Sequence, residues 1–322
     1  MRNTGGANRQ PGDRRRSAPV PALLAAPLAI VLAAPAASAA ASPPSVVAAE
    51  NFYGDVARQL AGPYASVSSV LSNPDEDPHL FEASPSVVAR VAAARLVILN
   101  GLDYDPWMGK LLAAAPSTGR SEVVAAAVTG ARAGSNPHLW YAPATMPAVA
   151  AAVADQLSRI DPAHAAAFAA NLSRFRASLA PIDAEVARLR ARWAGTPVTA
   201  TEPVFGLMAA AIGLDMRNGR FQLAVMNDTE PAASDIAAME TDLRNGRVRL
   251  LIYNSQASDS AAQRLLGIAR ASGIPVLGVT ETEPRDAGSY QSWILGQLQA
   301  LDRALAAAVP GAPAPATPPH PA

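Results

Sequence analysis

The chain has 322 residues, of which 50% are hydrophobic and 16% charged, and its formal net charge at pH 7 is zero. That length suffices for one or two domains with proper cores, and the balanced charge offers no basic surface for nucleic acid or an anionic membrane. Cysteine is absent, which excludes disulfides and thiolate metal sites.

The first stretch is read as a targeting segment. Arg14 to Arg16 form a charged region, an Ala- and Pro-rich apolar run follows, and Ala37-Ser38-Ala39 fits a small-x-small cleavage site. Residues 1–39 are therefore expected to be a cleaved export signal. With no cysteine at the cleavage site, the expected product is an exported protein without a lipid anchor.

Strand and helix patterns then alternate. "SVVAAE" (Ser45–Glu50) and "ASVSSVLS" (Ala65–Ser72) predict strands around a helix over Phe52–Gly62. Ser84 opens a second helix, and "RLVILNG" is the continuous apolar run of a strand buried on both faces. "YDPWMGKLLAAA" predicts a helix and "EVVAAA" a further strand. Thr145 to about Ser158 is amphipathic, and Asp161-Pro162 starts a helix that runs to about Trp193, with Pro181 inside it to bend or divide it. The rhythm resumes with strands at "TPVTATE", "VRLLIYN" and "IPVLGVTE", helices between them, and a final helix from "SYQSW" onward. The Pro-rich end is expected to be disordered. The fold class expected is α/β: two lobes, each a mostly parallel sheet flanked by helices, joined by a long backbone helix. The boundaries are 40–160 for the first lobe, 161–194 for the helix, 195–309 for the second lobe and 310–322 for the tail.

In open α/β sheets, ligands bind beyond the carboxyl ends of the strands. Four such loops carry donors: His79 after the second strand, His138 after "EVVAAA", Glu202 at the end of "TPVTATE" and Glu281 at the end of "IPVLGVTE". The chain has only four histidines, and two of them share a setting, Asp77-Pro78-His79 and Asn136-Pro137-His138. Two imidazoles and two carboxylates suit a borderline divalent cation such as Zn²⁺ or Mn²⁺. Asp77 and Asn136 are placed to cap these turns or to orient the rings. Glu283, Asp228, Glu230, Asp75 and Glu76 compete for ligand or rim roles, whereas His164 and His320 have no assigned part. Trp107, Trp140 and Trp293 are assigned to packing.

The segments "DPHLFEASPSVVARVAAARLVILNGLDYDPWM", "NPHLWYAPATM", "TEPVFGLMAAAIGL" and "YQSWILGQLQAL" resemble the metal-binding solute-binding proteins of bacterial zinc and manganese ABC importers. The resemblance spans nearly all of the chain after the signal. It implies two α/β lobes joined by a long helix, with one metal ion at the lobe interface. His79 and His138 stand where the family has its two Pro-His ligands. Glu202 stands where zinc members usually have a third histidine, and glutamate there resembles manganese-type members. The fourth ligand position falls at Thr280 or Glu281; Glu281 is preferred because Thr280 is a poor donor, with Glu283 in reserve. The long His-rich loop of many zinc members is absent. The implied function is a monomeric periplasmic protein, not an enzyme, that captures Zn²⁺ or Mn²⁺ and delivers it to an inner-membrane ABC permease with its cytoplasmic ATPase. The alternatives weighed are an exported metallohydrolase, for which no His-Glu-x-x-His or nucleophile-elbow pattern is present, and a siderophore-type binding protein of the same architecture.

Overall fold

The computed structural model describes residues 42–73, 81, 83–257 and 260–308. The expected export signal, the His79 loop and the Pro-rich tail lie outside these residues. Four strands form the first sheet: β1 (Ser45–Glu50), β2 (Ser66–Leu71), β3 (Leu96–Leu99) and β4 (Ser121–Val124), in the order β2-β1-β3-β4 and all parallel. The second sheet repeats that layout with β5 (Pro197–Ala200), β6 (Asp215–Met216), β7 (Leu251–Asn254) and β8 (Val276–Val279), ordered β6-β5-β7-β8 and again parallel. Parallel neighbours need crossover connections, and helices supply them. In the first lobe these are α1 (Asn51–Ala61), α2 (Pro85–Ala93) and α3 (Pro106–Ala114), followed by the short α4 (Ala125–Thr129). The second lobe has α8 (Gly206–Ile212), α9 (Gly219–Met226), α10 (Ala233–Arg244), α11 (Ser260–Ala271) and α12 (Tyr290–Ala307). Between the two sheets in chain order come α5 (Thr145–Ile160), α6 (Ala165–Ser178) and α7 (Ala180–Trp193); α5 packs on α1 and α4 of the first lobe, and α7 on α8 and α12 of the second.

The period-2 geometry of a strand sorts its apolar side chains onto two faces. Val46, Ala48, Leu96 and Ile98 face a core that continues through Phe52, Trp140, Tyr141 and Phe205 to Val198, Ile252 and Val279 of the second lobe. Val47, Ala49, Val97 and Leu99 point the other way, into a separate core under α2 and α3. Leu251 likewise packs outward with Phe221, Met239 and Leu265. Both lobes thus share their inner core, and separating them would expose side chains whose burial is worth roughly 1.5–3 kcal/mol each.

The long helix of the middle segment is divided where Pro181 was expected to bend or divide it: it is interrupted at Leu179 and restarts at Ala180, and Pro162–His164 forms a separate 3-10 turn. Pro181 has no N–H to give the Ala177 carbonyl, so the break falls just before it. "EVVAAA" is not a continuous strand: pairing with β3 stops at Val124, and the alanines turn into α4, which closes on the left-handed Gly130. His164, given no role, is half-buried; it bonds Asp161 at 2.6 Å and stacks on Tyr64.

Candidate metal centre

Each sheet reverses its strand order beside its first strand, and the crevice at that point opens above the carboxyl ends of the inner strands. His138 reaches it from the loop between α4 and the 3-10 turn Leu139–Tyr141. Glu202 follows β5 by two residues, and Glu281 follows β8 by two. All three line one cavity of about 1260 Å³, whose other wall residues include Asn254, Gln256, Asp228 and Glu230.

The cavity is lined from both lobes. His138 is 2% exposed and Glu281 is 2% exposed, so both donors have left water. The His138 Nε2 lies 3.9 Å from Glu281 Oε2. Glu202 is half-buried, and the Asn254 side-chain amide joins it to Glu281, donating to Glu281 Oε1 at 2.5 Å and to Glu202 Oε2 at 3.4 Å. A buried carboxylate needs such donors when no cation is near. Tyr104 supplies another, its hydroxyl donating to Glu281 Oε2 at 3.0 Å from the opposite lobe. Burial and the Glu281 charge push the Tyr104 hydroxyl well above its ordinary pKa, which keeps it a donor. Among the described residues no three His, Asp or Glu side chains converge closely enough to hold an ion by themselves. The donor set nevertheless fits a divalent cation. It combines one buried imidazole with two carboxylates from the facing lobe.

The loop carrying Glu281 is held from every side. The Gln256 side-chain oxygen accepts from the backbone N–H of Glu281 at 2.6 Å and of Thr282 at 3.1 Å, while its amide donates to Thr282 Oγ1. Tyr141 donates to the Thr280 carbonyl, and Trp293 donates to Thr280 Oγ1. Asn51 bonds the Glu283 backbone twice, accepting from its N–H and donating to its carbonyl. Tyr141 and Asn51 belong to the first lobe, so the loop is tied across the interface.

Beneath the crevice, Tyr104, Trp140, Phe52 and Trp293 form a chain of aromatic contacts with ring centroids 4.5–5.9 Å apart. Trp140 also meets the His138 ring edge-on at 5.4 Å. Its role is packing that seats the imidazole, as the tryptophans were assigned. The turn that delivers Tyr104 is unusual, because Gly101, Leu102 and Asp103 all have positive φ. Such backbone is costly for non-glycine residues. Asp105 holds it in place by accepting from the N–H groups of Asn100 and Gly101.

Of the four expected ligands, the structure brings His138, Glu202 and Glu281 to one cavity; His79 lies outside the described residues, as do Asp75, Glu76 and Asp77. Glu283 does not join them. It lines a separate cavity with Asp55, Arg58 and Ser69, where burial and then the Asp55 charge push its carboxyl up to about 8. Asp228 and Glu230, which competed for ligand roles, stand on the wall of the large cavity. Tyr104, Asn254 and Gln256 were not anticipated. Asn254 is the last residue of a buried strand, and the strand-end rule would have found it had it been applied to amides as well as acids.

Comparison with known proteins agrees with this fold. The solved periplasmic zinc-binding protein TroA from Treponema pallidum superposes with a TM-score of 0.71 at 19% identity, covering 82% of this chain and 99% of that one. A Mn-bound periplasmic metal-binding protein from Candidatus Liberibacter asiaticus gives 0.65 at 17% identity, over 81% of this chain and 99% of its own. Among curated proteins, the iron-binding protein YfeA of Yersinia pestis is 27% identical over 146 residues, 43% of this chain and 46% of YfeA. The manganese-binding lipoprotein MntA of Bacillus subtilis is 26% identical over 145 residues, 43% of this chain and 47% of MntA. The chain thus spans about half the length of these curated relatives. Residues 46–304 match the family described as ZnuA, zinc-uptake complex component A, periplasmic, and with most of its length in that match the chain belongs to this family.

Proposed function

We propose that the protein is the extracytoplasmic solute-binding component of a metal importer. It captures one divalent transition-metal ion between its lobes and passes it to a membrane permease driven by a cytoplasmic ATPase. The observation that carries this reading is the buried pair His138 and Glu281, one from each lobe, 3.9 Å apart at the carboxyl ends of two parallel sheets. The proposed ligands are His79, His138, Glu202 and Glu281, and the metal is cargo. Residues 1–39 are proposed as the export signal. A shell filled by four protein donors leaves no open position for a reacting water, so no enzymatic role is proposed.

Two carboxylates make this set harder than a three-histidine site and favour Mn²⁺ or Fe²⁺ in geometry, while zinc retains high intrinsic affinity by the Irving–Williams order. Calorimetric titration of the metal-free protein with Zn²⁺, Mn²⁺ and Fe²⁺ tests the reading. One ion per chain at sub-micromolar affinity is expected, and the absence of such binding for all three metals would overturn it. In competition, Glu202→His should move preference toward Zn²⁺; an unchanged ratio would place Glu202 outside the ligand set.

A further inference from the structure

We infer that Asn136 is a positioning residue that prepares both lobes for the cation at once, an inference that rests on the metal-capture reading. It sits two residues before His138, and its side chain makes three contacts. The amide nitrogen donates to the Pro203 carbonyl at 2.7 Å, beside Glu202 in the second lobe. The amide oxygen accepts from the His138 backbone N–H at 3.0 Å and meets His138 Nδ1 at 2.7 Å.

These contacts form a chain in which every donor is determined. A proline carbonyl can only accept, so the group facing Pro203 is the NH₂ of Asn136. The group facing His138 is then the amide oxygen, which also only accepts. His138 Nδ1 must therefore carry its proton, and the neutral ring keeps its lone pair on Nε2, the nitrogen turned toward Glu281. A ring nitrogen that ligates a metal commonly has its partner nitrogen donating to an oxygen acceptor in this way. Here the acceptor belongs to a side chain whose other end grips the opposite lobe. Asn136 thus selects the metal-ready tautomer of His138 and fastens the start of the Glu202 segment with one rigid amide. The room for it comes from Gly206, where a Cβ would lie 3.1 Å from the Asn136 amide nitrogen.

Aspartate at this position would separate the two roles. It keeps an acceptor for His138 Nδ1–H but sets an oxygen against the Pro203 carbonyl. Alanine removes both contacts.

The test is ¹⁵N imidazole NMR of the metal-free protein at a pH well above the usual imidazole range. The His138 signals are assigned by their loss in His138→Ala. The wild-type ring should be in the Nδ1–H form. Asn136→Ala should move it toward the Nε2–H form, and Asn136→Asp should leave it Nδ1–H. Metal affinity, measured by titration, should fall about 10–100-fold in both variants, the range for groups that orient a ligand. Asn136→Asp would thus lose affinity with its tautomer intact, which a role confined to His138 would not produce. An Nε2–H ring in the wild type overturns the inference without the need of any variant. An Asn136→Ala ring that stays Nδ1–H overturns it as well. A wild type that binds no metal but shows the Nδ1–H ring overturns the transport reading alone.

Discussion

The two sheets end on the same residue types at matching places. β1 closes on Glu50, and Asn100 follows β3; Glu202 follows β5, and Asn254 closes β7. Yet the first lobe shuts its glutamate away, while the second turns its glutamate toward the cavity. Glu50 has no exposed surface, and burial followed by the Asp105 charge pushes its carboxyl well above the carboxylate range. Glu202 stays half-buried, with Asn254 donating to it. The asparagines divide in the same way. Asn100 accepts from Tyr53 and donates to the Pro137 carbonyl, steadying the loop of His138, whereas Asn254 bonds the carboxylates themselves. One topology therefore uses its switch point as a scaffold in one lobe and as a source of donors in the other.

The largest effect should come from the donor that meets the first lobe most closely. Glu281→Gln keeps the volume but removes the charge facing His138. Metal affinity is expected to fall by more than about 100-fold, beyond the usual cost of losing an orienting residue. Titration against the wild type measures it, and a loss below tenfold would show that Glu281 is not a ligand.

Next in size is Asn254→Ala, which leaves Glu202 and Glu281 without their shared donor. Affinity should fall about 10–100-fold while the fold, read by circular dichroism, is kept. Tyr104→Phe removes one hydrogen bond to the same carboxylate from the opposite lobe. Its effect on affinity should be the smaller of the two, because Glu281 keeps Asn254. If Tyr104→Phe were the more damaging, the first lobe would hold the carboxylate more firmly than the second.

Much of this arrangement was legible in the chain. The alternation of β-branched runs with Gly-closed helices predicts the βα rhythm, and the repeated Pro-His setting singles out His138 from chemistry alone. What escaped notice was of a different kind. The helix Gly219–Met226 is short and begins after Asn218 in the left-handed region, without a side-chain cap, so no start signal marks it. Tyr104 sits in "GLDYDPWM" as one aromatic among many. Its function depends on a left-handed turn at Leu102 and Asp103, which propensity argues against. The Asn51 contacts with the Glu283 backbone join residues more than 200 positions apart, and no local pattern encodes them. Periodicity reports which face is buried; it does not report which polar group across the interface will meet which.

The smallest expected effect lies in the closed lobe and separates scaffold from site. If Glu50 is scaffold only, Glu50→Gln should leave metal affinity unchanged. It should nevertheless alter stability in a pH-dependent way. The folded state binds the Glu50 proton more tightly than the unfolded chain does, because burial disfavours the charged form. The contribution of the neutral carboxyl is therefore fully present below the unfolded value, at about pH 4, and declines as pH rises toward the raised folded value. Glutamine has the shape of the neutral form and does not titrate. Its advantage should be nil in acid and should grow toward alkaline pH, where the melting temperature should exceed that of the wild type by a few degrees. Thermal melts across pH measure this directly. Equal slopes in the two proteins would mean that Glu50 is charged in the folded state and has a cationic neighbour. The first lobe would then have a closer counterpart to Glu202 than its burial implies.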